Sequence, residues 1–398
     1  MSSDWSYLPS EILKMIGKKI SKCSVKHARL TFRAWTEPMT VGEAHIEGMV
    51  PSGVTPTFHN ISSLYWKNPP SDKVEFDKVP IKHMKNVSII YDLNLRSVDP
   101  LLDDKRKVLD NLFMTEMSSL ESFSMYTACI VPTGISNWPS ASRITTLNLG
   151  YCKVEDSFIT ELSKLVHLTS LDLTGNAITN NGIERMSQMS RLSTLILAAC
   201  PVNDTCLLHL PKTITSLDVS FCHRMNFDPE FVSQMPRVTT LMLKNVGIDN
   251  SVLRSFPSSI TSLDLSRICH VPLKLDGNLY HMTSLKTLIL AYTPSITDKC
   301  LETLPPSITH LDLYWCTAVR LRLNLNLPML KTIDISGNRD IMKHKCFRFF
   351  DFFTFTTFQI GMPSLTHIYY DGVDHAKFRS ISELCGVKIV NSRYNYND

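Results

Sequence analysis

ITTLNLGYC (144–152), LTSLDLTGN (168–176), LSTLILAAC (192–200) and ITSLDVSFC (214–222) are four versions of one nine-residue phrase, L-x-x-L-x-L-x-x-C/N. The phrase continues through VTTLMLKNV (238–246), ITSLDLSRI (260–268), LKTLILAYT (285–293), ITHLDLYWC (308–316) and LKTIDISGN (330–338). Its central apolar residue falls at 147, 171, 195, 217, 241, 263, 288, 311 and 333, in steps of 22 to 25 residues. Self-similarity at such a period marks an array of small units, none able to bury its own apolar face without neighbours.

The chemistry of one unit follows from the phrase. L-x-L reads as a short strand that turns alternate side chains inward. The small polar residue three positions after the second apolar one (Cys152, Asn176, Cys200, Cys222, Cys316, Asn338) suits the point where the chain leaves the strand and backbone groups need partners. Segments such as NNGIERMSQMS (180–190) then return behind the strand with helical apolar spacing. The result is an α/β solenoid. In this pattern the chain resembles the leucine-rich-repeat family, in its cysteine-containing and ribonuclease-inhibitor-like branches. The resemblance implies a curved horseshoe with parallel β-strands on its concave face, the face on which such proteins bind protein partners.

A second period overlies the first. Alternate units arrive through PKTITSLD, PSSITSLD and PPSITHLD, so Pro211, Pro257 and Pro305 are expected to end a returning helix just before the next strand. Weaker units extend the array at ISSLYW (61–66), MKNVSII (84–90), LESFSMY (120–126) and LTHIYYDGV (365–373), with a longer helix expected over 99–117. CFRFFDFFTFTTF (346–358) reads either as a plug for the open end of the core or as an apolar contact patch. The expected divisions are 1–45, a helical N-terminal unit; 46–126, irregular repeats; 127–340, regular repeats; and 341–398, a cap with the last repeat.

Composition narrows the function. Apolar residues make up 43% and charged residues 20%, and the net charge is only +4, a balance that does not suggest nucleic-acid binding. One basic run, Lys14, Lys18, Lys19, Lys22, Lys26, Arg29 and Arg33, reads as the solvated face of helices. Eleven cysteines spread from Cys23 to Cys385 without a C-x-x-C pair exclude a disulfide framework or zinc module, and no metal or cofactor is expected. No run approaches a membrane span and no secretory signal is visible, so reduced thiols in cytoplasm or nucleus are expected. A mitochondrial presequence sits poorly with Asp4 and Glu11. Signature motifs for phosphate loops, dinucleotides, serine hydrolases and zinc proteases are missing, which points to a protein that is not an enzyme.

The candidate binding residues lie on the strands and just beyond them. The outward position of L-x-L carries Asn148, Asp172, Ile196, Asp218, Met242, Asp264, Ile289, Asp312 and Asp334. Asp218, Asp264 and Asp312 would suit a basic or polar peptide, or, with the flanking Ser and Thr, would bond to neighbouring strands in a ladder. Two residues after the second apolar position come Tyr151, Phe221, Arg267, Tyr292 and Trp315, residue types common among binding anchors.

The N-terminus does not repeat. In DWSYLPSEILKMIGKKI (4–20), Ile12, Leu13, Ile16 and Ile20 share a helical face behind Leu8-Pro9, and a second helical stretch is expected through Leu30, Phe32 and Trp35. L-P-x-E-I-L-x-x-I followed by F-R-A-W, with a step of 27 from Leu8 to Trp35, resembles the F-box. KCSVKHARL stands where that family usually carries an Asp-Leu pair, and Phe32 where a Cys is common. The resemblance implies that Leu8, Pro9, Ile12, Leu13 and Ile16 meet the Skp adaptor of a cullin ubiquitin ligase, with Trp35 packing the small domain. The chain would then be the substrate receptor of a Skp–cullin–F-box ligase; the alternative is a leucine-rich-repeat scaffold in a multiprotein assembly.

Overall fold

The computed structural model describes residues 30–32, 42–47, 61–67, 83–90 and 117–126, most of 134–338, and residues 361–370 and 386–391. They fall in two compact units, residues 1–177 with 188–192, and residues 178–187 with 193–398.

In the first unit the strands follow chain order: β1 (Leu30–Phe32), β2 (Gly42–Glu47), β3 (Ile61–Lys67), β4 (Asn86–Ile90), β5 (Ser122–Tyr126), β6 (Thr146–Asn148) and β7 (Ser170–Asp172). From β2 onward each strand pairs in parallel with the next, and β1 pairs antiparallel with β2. The weak units at 61–66, 84–90 and 120–126 are therefore strands of the sheet. The expected helical stretch through Leu30 and Phe32 is corrected: Leu30, Thr31 and Phe32 pair with Ile46, His45 and Ala44. A β-branched Thr beside an aromatic Phe favours extended backbone, and an open sheet edge supplies hydrogen-bond partners that a three-residue helical turn would lack. The strand Gly42–Glu47 likewise runs into the segment expected to be helical up to residue 45.

The second unit holds β8 (Thr194–Ile196), β9 (Ser216–Asp218), β10 (Thr240–Met242), β11 (Ser262–Asp264), β12 (Thr287–Ile289), β13 (His310–Asp312), β14 (Thr332–Asp334), β15 (His367–Tyr370) and β16 (Lys388–Asn391). All consecutive pairs in it are parallel. Register follows the phrase: Leu217 faces Leu241, then Leu263, Leu288, Leu311 and Ile333.

Both leucines of L-x-L are buried in each regular unit, Leu171 with Leu173 and Leu263 with Leu265 among them. Each such side chain contributes roughly 1.5–3 kcal/mol of apolar burial. In the first unit Trp66 and Phe123 are fully buried, and Trp138 packs edge-on against Phe123 at 5.6 Å. The return segments are short. The expected helix at 180–190 runs over Asn180–Met186, with the Thr179 side chain accepting from the Asn181 amide at its start. The prolines close a recurrent turn: Ile214, Ile260 and Ile308 amides donate to the carbonyls of Pro211, Pro257 and Pro305 at 3.1, 3.1 and 3.2 Å. The intervening units make the same turn with methionine, where Leu192, Val238 and Leu285 amides donate to the carbonyls of Met189, Met235 and Met282. Proline and methionine units thus share one geometry. Residues 99–116 of the expected helix, the Phe-rich stretch 346–358 and the whole basic run lie outside the described residues.

The small polar residue at the strand exit acts as expected. Its side chain reaches back to the second apolar carbonyl of the preceding unit: Cys222 Sγ to Leu197 at 3.2 Å, Cys316 Sγ to Leu290 at 3.0 Å, and Asn338 Nδ2 to Leu313 at 2.8 Å. Thr293 does the same toward Leu265 at 3.2 Å. Asn176 does more. Its Nδ2 donates to the carbonyls of Leu149 and Leu173, both at 2.8 Å, while its Oδ1 accepts from the amides of Cys152 at 3.1 Å and Val154 at 2.9 Å. Burial pushes the Cys222 and Cys316 thiols up to about 12 and raises that of Cys206 as well, so these cysteines are neutral packing groups.

Candidate functional site

The outward strand residues hold their own chain. Asp172, Asp218, Asp264, Asp312 and Asp334 each accept, through Oδ1, the backbone amide two residues on, at 2.9, 2.8, 2.8, 2.8 and 2.9 Å. Asn148 accepts the Gly150 amide in the same way at 2.9 Å. The aspartate is therefore a local cap where the strand ends. A ladder between strands also exists, one position earlier than the strand itself: Thr169 donates to the carbonyl of Thr145 at 3.0 Å, Thr239 to Thr215 at 3.2 Å, Thr261 to Thr239 at 3.1 Å and Thr309 to Lys286 at 3.1 Å.

A left-handed turn follows in every regular unit, with the cap or without it. Three residues past the outward strand residue the backbone turns left-handed, at Tyr151, Ala199, Phe221, Asn245, Arg267, Tyr292 and Trp315, and at Gly175 and Gly337. There the amide re-joins the ladder, as when Tyr151 donates to the carbonyl of Thr174 at 2.7 Å, Arg267 to Ala291 at 2.8 Å and Trp315 to Ser336 at 2.9 Å. Left-handed backbone costs a side-chain-bearing residue about 1–2 kcal/mol, a penalty glycine escapes. Five of the nine units nevertheless place Tyr, Phe, Arg or Trp there.

Those side chains overlap along the array. In the second unit the Arg267 guanidinium sits 4.7 Å from the centre of the Tyr292 ring. Tyr292 in turn stacks on Trp315 at 6.1 Å with an interplanar angle of 25°, and buried Tyr314 meets Tyr292 edge-on at 5.1 Å. Trp315 lies over Gly337, where an added Cβ would approach its ring to 2.8 Å. Lys244 Nζ sits 5.7 Å over Phe221. In the first unit Tyr126 packs edge-on against Tyr151 at 5.3 Å, and the Tyr151 ring occupies the space a Cβ at Gly175 would fill. Burial, then the neighbouring Tyr151 and Asp172, push the Tyr126 hydroxyl above its usual pKa.

The five predicted rim residues thus occupy one structural position, and the three predicted aspartates sit three residues before it in their units. The structure joins Arg267, Tyr292 and Trp315 into one row; Phe221 pairs with Lys244, and Tyr151 belongs to the row in the first unit. Tyr126, Tyr314 and Lys244 were not anticipated as members. Glycine at 175 and 337 and asparagine at 245, in register with the aromatics, were the sequence signal for left-handed backbone. Leu8, Pro9, Ile12, Leu13, Ile16 and Trp35 lie outside the described residues.

Among the described residues no group of three His, Cys, Asp or Glu side chains is placed to hold a metal ion, and no helix is long and apolar enough to cross a membrane. A leucine-rich-repeat family model matches residues 164–187, which contain β7 and the helix Asn180–Met186. The chain therefore contains a leucine-rich repeat within a parallel sheet, as its phrase implied. No curated protein matches the chain in sequence.

Proposed function

We propose that the protein is a non-catalytic receptor that binds another protein on the outward strand positions and the adjoining row Arg267–Tyr292–Trp315. The row carries the reading: residues costly in left-handed backbone stand where Gly or Asn would be cheaper, at an exposed or half-exposed position. A photo-crosslinking residue at Ile289 in the full chain, expressed in cells, should trap a protein adduct that Tyr292→Ala/Trp315→Ala reduces. The same probe at Tyr280, 63% exposed and away from the strands, is the control. Equal adducts from both positions would overturn the reading.

The N-terminal phrase L-P-x-E-I-L-x-x-I supports a finer version, in which this receptor delivers substrates to a Skp–cullin–F-box ubiquitin ligase. Co-purification with a Skp-type adaptor, lost on Leu8→Ala/Pro9→Ala, tests it; an adaptor that does not bind at micromolar concentration removes the ligase role. The scaffold reading draws on one observation, the pairing of Leu30–Phe32 with β2, which ties part of the F-box-like stretch to the sheet edge.

A further inference from the structure

The strand face of the second unit is striped with a period of two strands. Across the paired register from β8 to β13 the outward residues read Ile196, Asp218, Met242, Asp264, Ile289 and Asp312. Neighbouring strands are about 4.8 Å apart, so like residues recur every ~9.6 Å and the span from Asp218 to Asp312 is ~19 Å. Three residues on in each unit runs the parallel row Ala199, Phe221, Asn245, Arg267, Tyr292 and Trp315. The surface therefore offers negative charge at a fixed interval, apolar contact between (Met242 is 39% exposed), and along one side a row in which the rings of Phe221, Tyr292 and Trp315 are covered in part by Lys244 and Arg267.

Few regular backbones match that interval. A partner strand repeats a face every two residues, about 6.7 Å, which does not divide into 9.6 Å. An α-helix repeats a face about every seven residues, ~10.5 Å, and drifts by nearly 2 Å over the three aspartates. A polyproline-II helix has three residues per turn and rises about 9.3 Å per turn, so it drifts by only ~0.6 Å. It also presents three edges: one to the aspartates, one to that row, one to solvent. Aromatic-lined surfaces are the usual seat of such helices, because proline rings pack on them and little chain entropy is lost. Asp264 accepts both the amide and the hydroxyl of Ser266 through Oδ1, and since a carboxylate offers about four lone-pair sites, such bonds and an ammonium group can be accepted together.

We infer that this face docks a proline-rich segment in polyproline-II conformation carrying a lysine or arginine at every third residue, laid across the strands from β9 to β13. The inference rests on the receptor reading above and names the chemistry of its partner. The probe is a fluorescent (Lys-Pro-Pro)4 peptide, titrated by polarisation into the full chain at low ionic strength. Its control has the same composition with the four lysines consecutive, so that net charge is constant. The (Lys-Pro-Pro)4 peptide should bind at least about tenfold more tightly. The variant Asp218→Asn/Asp264→Asn/Asp312→Asn should lose that preference with an unchanged melting curve, because asparagine already makes the same cap at Asn148. If that variant melts early, Asp264→Asn alone carries the comparison. Equal affinity for the two peptides, or a preference that survives the asparagines, overturns the inference. In that case a photo-adduct from Ile289 would leave the receptor reading standing, and its absence would remove both.

Discussion

Replacing Asn176 by alanine should expose how much of the array hangs on one side chain. In the native structure its amide holds the Leu149 carbonyl and the amides of Cys152 and Val154, and the Leu173 carbonyl keeps a second bond, from the Asn176 amide at 3.3 Å. Alanine strips the first three of the partner they have here. Each buried backbone group left unsatisfied costs about 1–3 kcal/mol, so a loss of roughly 3–5 kcal/mol is expected once some relaxation is allowed. The repeat supplies its own intermediate: a thiol at this position restores the bond to the preceding carbonyl, as Cys222 and Cys316 do, but accepts neither amide. Asn176→Cys should therefore lose about 2–3 kcal/mol. Urea unfolding gives the global values, and hydrogen exchange localises them, because Cys152 and Val154 amides should lose protection first. A loss below about 1 kcal/mol for alanine, or equal losses for alanine and cysteine, would refute the idea that this side chain is a multi-point clamp rather than a filler.

Gly175→Ala must adopt left-handed backbone and displace the Tyr151 ring, so a loss of about 1–2 kcal/mol is expected from the backbone alone, with Tyr151 fluorescence or exposure reporting the displacement. Asp264→Lys removes the cap on the Ser266 amide as well as the charge and should destabilise by about 1–2 kcal/mol, while Asp264→Asn stays near wild type in a thermal melt. The Cys222 and Cys316 thiols should resist a disulfide reagent at pH 8 until the chain unfolds, since both remain protonated. Their folded values of about 12 lie above the ordinary 9.0, so their contribution to stability is whole below pH 9 and is lost as pH rises toward 12. Denaturation midpoints measured across that window should fall.

Much of this was readable from residues. Leucine at alternate positions specifies inward packing whatever its neighbours, so the strands could be placed to within a residue. The carbonyl-seeking role of the Cys and Asn positions followed from their size and polarity. Other features were not readable. Taken singly, Tyr151, Tyr292 and Trp315 give no sign of positive φ, because the conformation is imposed by the ladder their amides rejoin, and only Gly175, Asn245 and Gly337 in register point to it. The threonine ladder sits at Thr145, Thr169 and their equivalents, exposed or half-buried positions where Thr reads as a generic strand residue. Leu30–Phe32 carries no strand signal of its own length, and pairing with β2 decides its backbone. Lys388–Asn391 is too short to stand out, and only the partner strand β15 makes it visible.

The left-handed row has one consequence for engineering. A repeat redesigned for backbone ease alone would carry Gly or Asn at 151, 221, 267, 292 and 315 and would relieve about 1 kcal/mol at each substitution. The same edit would erase every aromatic and guanidinium contact along the row. A chain hardened in that way would keep its sheet and lose the row, so backbone ease and surface chemistry are opposed at the same five positions.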